Sequence, residues 1–103
     1  MLITVRDGQR VDPIEIAATE FGVSAKQITG PGRKRGVVVV RHLICYTLVH
    51  HYNMTMSRTG RLLGGRDHST ISHAVSVFGR DMDVDPNLRQ MYYIYCRAIR
   101  EQA

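Results

Sequence analysis

Gly64-Gly65-Arg66-Asp67-His68-Ser69-Thr70 is the stretch whose reading decides the fold. Two consecutive glycines mark a tight turn. Asp67 follows as a helix N-cap, since a short carboxylate accepts hydrogen bonds from the orphan N–H groups of a first turn. Ile71, Ala74, Val75 and Phe78 then recur at helical spacing, so one side of this helix is buried and its start faces outward. Upstream, Thr55 is placed to cap a short helix over Met56 to Leu63. The two helices and the glycine turn read as a helix-turn-helix over residues 55–79, its second helix ending near Gly79. Small polar side chains on the first turn of a second helix are what reading a DNA groove requires.

Working outward from this pair, the rest of the chain also reads as helices. Asp12-Pro13 opens one with an N-cap, a proline at the first helical position and Glu15 at capping-box spacing. Ile14, Ala17, Ala18 and Phe21 supply its buried stripe, and Gly22 ends it. Ser24 to Gln27 repeats the box and starts a short helix that stops at Gly30. Gly30-Pro31-Gly32 breaks the chain, and Arg33-Lys34-Arg35-Gly36 reads as a mobile basic arm. A long helix is expected from Val37 to Tyr52, with Val40, Leu43, Ile44, Thr47, Leu48 and His51 inward and Asn53 as C-cap. Its four opening valines suit a strand, but the long periodic run after them decides for helix. Asp85-Pro86 starts the last helix, over 86–101, with Leu88, Met91, Tyr92, Tyr95, Ala98 and Ile99 as its stripe. Residues 1–11 are expected to be a short tail with a strand-like turn around Asp7-Gly8. The fold class is therefore all-α: a compact bundle of about six helices in one domain spanning 1–103.

Composition narrows the function. The chain has 103 residues, 44% hydrophobic and 22% charged, which suits one modest core. Fourteen Lys and Arg against nine Asp and Glu give a net charge of +5, which points to a polyanionic partner. The apolar run Val37 to Val40 is too short to span a bilayer, and the N-terminus does not resemble a signal peptide. Cys45 and Cys96 lie in apolar helical patterns without metal-ligand spacing, as expected of inert thiols in a cytoplasmic protein. His42, His50, His51 and His73 lack the carboxylate or cysteine partners of a zinc site, so no metal is expected. His51 is expected to pack and His50 to face solvent. Tyr92 and Tyr95 are expected in the core and Tyr93 outside it. Asp67-His68 is an isolated carboxylate–imidazole pair, and no enzymatic activity is expected. The phosphate loop Gly-x-x-x-x-Gly-Lys-Ser/Thr does not occur, so neither nucleotide nor other cofactor is expected.

From Ile14 to Phe78 the chain resembles the C-terminal DNA-binding domain of the bacterial replication initiator DnaA. The resemblance rests on Gly64-Gly65-Arg66-Asp67-His68-Ser69-Thr70-Ile71-Ser72-His73-Ala74, with the basic arm, the long helix carrying Arg41 and the helix at Thr55-Met56 in the family's order. It implies a helix-turn-helix bundle related in fold to the tryptophan repressor and a double-stranded DNA partner. It further implies roles by position. Asp67, His68, Ser69 and Thr70 match residues that read base edges in the major groove, and Met56 and Ser57 match an apolar pair touching thymine methyls. Arg33 matches an arginine that enters the minor groove, with Arg35 beside it on phosphate. Arg41, His42, Arg66 and His73 match backbone-contacting positions, so replacing Arg41 is expected to weaken all duplexes alike and to flatten the salt dependence.

The residues depart from the family pattern at Val49, where a basic residue is usual, at Met56-Ser57, where Leu-Pro is usual, and at Ser76-Val77, where basic residues are frequent. The favoured function is a sequence-specific double-stranded DNA-binding protein regulating replication or transcription. The alternative is a protein-interaction module, such as an inhibitor of a replication factor, that keeps the fold without the readout. Read without the resemblance, Asp67 to Thr70 also suit a plain helix cap, and Arg33-Lys34-Arg35 a solvated loop.

Overall fold

The structure is a computed structural model that describes residues 2–5 and 8–102. Among the described residues it contains two short strands, β1 (Ile3–Thr4) and β2 (Arg10–Val11), and six α-helices. The helices are α1 (Pro13–Phe21), α2 (Ala25–Thr29), α3 (Arg35–Tyr46), α4 (Met56–Leu62), α5 (His68–Met82) and α6 (Pro86–Gln102). A π-helical turn, Thr47–His51, continues α3. The expected all-α bundle is present.

Caps fix most boundaries. The Asp12 carboxylate accepts from the Ile14 and Glu15 N–H groups, and Gly22 closes α1 in the left-handed region. Ser24 and Gln27 cap α2 reciprocally, at 3.0 Å in each direction. Asp85 accepts from the Asn87 N–H at 2.9 Å to open α6. One contiguous core joins the elements, with Leu43, Ile44, Leu48, Leu63, Ile71, Phe78, Tyr95 and Ile99 at its centre. Tyr95 is fully buried, and its hydroxyl donates to the Pro13 carbonyl at 2.8 Å, tying α6 to the start of α1. A buried phenol needs such an acceptor, because an unpaired one carries the whole desolvation cost.

Four expectations are corrected. The N-terminal segment is more than a short tail with a strand-like turn: β1 and β2 pair antiparallel, Ile3 opposite Val11, and both side chains enter the core. Gly8 of the expected turn has φ +73°, while Asp7 lies outside the described residues. The long helix starts two residues early, at Arg35, so the basic segment ends inside its first turn. It does not stay α-helical to Tyr52. The buried Thr47 hydroxyl donates to the Leu43 carbonyl at 2.8 Å, a back-bond that distorts helices, and the next turn widens so that the Tyr52 N–H reaches the Thr47 carbonyl. Asn53 then takes the left-handed conformation at φ 55°.

The fourth correction concerns α5, which runs through Gly79 to Met82. Gly79 is a packing site there, not a stop. A Cβ at this position would lie 3.1 Å from the Tyr46 ring, so its absence lets α5 approach α3 closely. Tyr46 in turn meets Phe78, stacks on the exposed His50 and touches the Tyr92 ring edge-on. His51 is half-buried, with its Nδ1 3.2 Å from the Tyr92 hydroxyl, and Tyr93 is exposed.

Candidate nucleic-acid interface

The turn between α4 and α5 depends on two close backbone approaches. The Gly60 carbonyl accepts from the N–H groups of Gly65 at 3.0 Å and Arg66 at 2.9 Å, folding the chain back over α4. A Cβ on Gly60 would collide with the Arg66 carbonyl oxygen, so only glycine fits. Gly64 has φ +82° and lies against the Thr29 carbonyl, which a Cβ would also strike. The helix-turn-helix is thereby pressed onto the end of α2.

Beyond that turn, α5 presents its first residues to solvent. Asp67, His68, Ser69 and Thr70 are all exposed. Asp67 Oδ1 accepts from the Thr70 N–H and from the Ser69 hydroxyl, each at 2.9 Å. These bonds hold the carboxyl below the usual aspartate range, the Thr70 backbone bond contributing most. The cluster is held in place by its own cap and is otherwise open to a ligand. His73 lies one turn further along the helix and is exposed. Met56, half-buried, and Ser57, exposed, occupy the first turn of α4, where Thr55 caps through the Arg58 N–H at 3.1 Å.

The remaining cations divide into two kinds. Arg33 and Arg35 are exposed. Arg41 is buried, at 8% relative exposure, although it too matched a backbone-contacting position in the sequence. Its Nε donates to the Ile28 carbonyl at 2.9 Å. Its Nη2 lies 3.0 Å from the Gln27 carbonyl, 3.2 Å from that of Gly30 and 3.1 Å from that of Gly32. Arg66 converges on the same place: Nη2 donates to Gly30 at 2.6 Å, and Nη1 to Thr29 at 3.3 Å and to Leu63. Gln27, Ile28 and Thr29 end α2, so these guanidiniums satisfy orphan carbonyls and oppose the negative end of the helix dipole. Burial and the Arg66 charge pull the Arg41 pKa below its ordinary value, and an arginine stays charged regardless.

His42 is half-buried beside Arg41 in sequence. Its pKa is lowered, first by burial and then by the charges of His73 and Arg41, with Asp81 opposing. The Cys45 thiol is pushed up to about 12 by burial, which keeps it protonated and unreactive. No three His, Cys, Asp or Glu side chains among the described residues are grouped as metal ligands. None of the described helices is long and apolar enough to cross a membrane.

Sequence reasoning missed two things here: Gly60, and the depth of Arg41. The signal for the second was present. Arg41 stands between Val37 and Ile44 on the spacing that continues to Leu48, all of them buried.

The family described as bacterial dnaA protein helix-turn-helix matches residues 13–77. The chain belongs to the bacterial DnaA helix-turn-helix family. It is 37% identical over 81 residues to the chromosomal replication initiator protein DnaA of Ureaplasma parvum, covering 79% of this chain and 18% of that protein. The Roseiflexus castenholzii DnaA is 32% identical over 92 residues, 86% of this chain and 19% of its own length. The Thermus thermophilus DnaA is 39% identical over 67 residues, 62% of this chain and 15% of its own. This chain thus spans less than one fifth of the length of these relatives.

Proposed function

We propose that this chain binds double-stranded DNA in a sequence-dependent way and serves a regulatory step of replication or transcription, without catalysis. The observation that carries the reading is the exposed, self-capped first turn of α5. In this reading His68, Ser69 and Thr70 meet base edges in the major groove, with Asp67 bracing them. Met56 and Ser57 lie against the neighbouring bases. Short side chains on a helix N-terminus approach bases closely, and the dipole favours adjacent phosphates. Arg33 enters the adjoining minor groove, Arg35 contacts phosphate, and His42 and His73 face the backbone. The relatives' name as chromosomal replication initiators supports a replication-linked role, as does the net charge of +5.

Val49, half-buried in the π-helical turn after α3, and Ser76, exposed on α5, place no cation where the family usually has one. The phosphate contacts should therefore be few. Selection from a random duplex pool followed by a salt titration tests the reading. The log–log slope of affinity against salt should be about −3 to −6, since each neutralised phosphate contributes about −0.9. A selected consensus with that slope supports the proposal. Failure to retain any duplex at low salt overturns it in favour of a protein-interaction module.

A further inference from the structure

We infer that Arg41 and Arg66 are positioning residues, which lock the root of the minor-groove arm to the helix-turn-helix so that Arg33 and the α5 helix start are presented as one rigid reader. The inference rests on the DNA-binding reading above and gives a new role to two arginines that the resemblance matched to backbone contacts.

The geometry is specific. The Gly30 carbonyl accepts from both guanidiniums, Arg41 at 3.2 Å and Arg66 at 2.6 Å. Arg66 is the residue immediately before the Asp67 cap, and Arg41 lies in α3, so one carbonyl oxygen links α2, α3 and the start of α5. Thr29 is gripped twice as well, by Arg66 Nη1 and by the close approach of Gly64. On the arm itself, Arg41 holds the Gly32 carbonyl at 3.1 Å, immediately before Arg33. Immediately after Arg33, the Lys34 carbonyl accepts from the Val38 N–H at 2.9 Å as α3 begins. Arg33 is therefore an exposed residue whose two chain neighbours each have a hydrogen-bonded carbonyl. Glycine and proline on either side of it suggest a swinging arm, yet the hydrogen bonds leave little backbone freedom there.

A guanidinium that already serves four carbonyls is poorly placed to neutralise a phosphate as well. Its planar fork is also what lets one side chain reach several acceptors, and a lysine ammonium does not reproduce it. This separates the two roles experimentally. A phosphate contact survives replacement by lysine in large part, because the charge is kept. A positioning fork does not.

The test uses Arg41→Lys, Arg66→Lys, Arg33→Ala and the double variant Arg33→Ala/Arg41→Lys on two duplexes. The duplexes share the selected site and differ only in an A·T-rich or G·C-rich flank where Arg33 would enter. Narrow A·T-rich minor grooves attract an inserted arginine, so the wild type should prefer the first duplex by about tenfold, the scale of one base-pair-level contact. Arg41→Lys and Arg66→Lys should each abolish most of that preference, with a clearly smaller loss on the G·C-flanked duplex, where Arg33 contributes least. The double variant should lose no more preference than Arg33→Ala alone, because both changes act through one contact. Amide exchange in the free protein should quicken between Gly32 and Gly36 in Arg41→Lys, with the exchange of the core helices unchanged. Retention of the flank preference by both lysine variants would overturn the inference, as would equal losses on both duplexes. A wild type that binds but shows no flank preference also overturns it. A wild type that binds neither duplex instead refutes the DNA-binding reading itself, and is recognised before any variant is made.

Discussion

The first turn of α5 and the carbonyl cluster at the end of α2 each gather side chains that the family resemblance places at a DNA surface, and the structure treats them in opposite ways. At α5, Asp67 to Thr70 are exposed, and the Asp67 carboxylate bonds to Ser69 and Thr70 of the same turn. At α2, Arg41 and Arg66 turn their guanidiniums inward onto backbone carbonyls. One group is open to solvent; the other hydrogen-bonds backbone carbonyls of the scaffold. Positive charge in a basic module is therefore not a count of phosphate contacts. A guanidinium earns its place at a helix C-terminus as readily as on DNA, because the orphan carbonyls there need donors.

The sharpest way to break the comparison is to attack the turn that joins the regions. Gly60→Ala should destabilise the fold by about 3 kcal/mol or more, at the upper end of overpacking costs, because the obstructing atom is backbone. Its melting temperature should fall by about 10 °C or more. A thermal melt within a degree or two of wild type would show that the turn is not held as described. Thr70→Ala belongs to the other region and should do the reverse. Its melting temperature should barely change, while binding of the selected duplex weakens by about 1–3 kcal/mol and preference at one or two base positions relaxes. Parallel losses on all sequences would remove Thr70 from base reading.

The smallest effect is expected at His42 of α3. Its folded pKa is lowered, so the folded chain binds fewer protons than the unfolded chain between the folded value and about 6.5. His42 therefore contributes stability that is complete above that window and is lost as pH falls through it. DNA phosphates would oppose this shift and draw a proton onto the ring. Duplex affinity should rise by about threefold as pH falls from about 7.5 to about 6, and His42→Gln should flatten that rise. Burial sets this balance first, the His73 and Arg41 charges add to it, and Asp81 opposes it. A pH profile identical in wild type and His42→Gln would exclude the coupling.

Much of this was legible in the sequence, for local reasons. Asp12, Ser24, Thr55, Asp67 and Asp85 announce helix starts because capping uses only the next two or three residues. The periodic stripe of α5 gave its buried face in the same way. What stayed hidden depends on contacts between segments far apart in the chain. Gly60 looks like an ordinary weak spot in a helix until the Arg66 backbone crosses it. Gly79 looks like a helix end until Tyr46 packs there. The strand pairing of Ile3 with Val11 leaves no periodic trace in segments two residues long. The burial of Arg41 was readable in advance, since a charged residue on a buried stripe asks for an internal partner.

The central claim is that the exposed start of α5 and the anchored arginine arm form one DNA-reading surface. It is tested most directly by titrating a selected duplex into isotopically labelled protein and following backbone amide and arginine side-chain resonances. The account predicts the largest shifts at Asp67 to His73 and at Arg33 to Arg35. Smaller shifts are expected at Met56 and Ser57, and the Arg41 Nε–H should remain bonded to Ile28 throughout. Shifts centred instead on Tyr93 and the outer face of α6, with Asp67 to Thr70 silent, would contradict it.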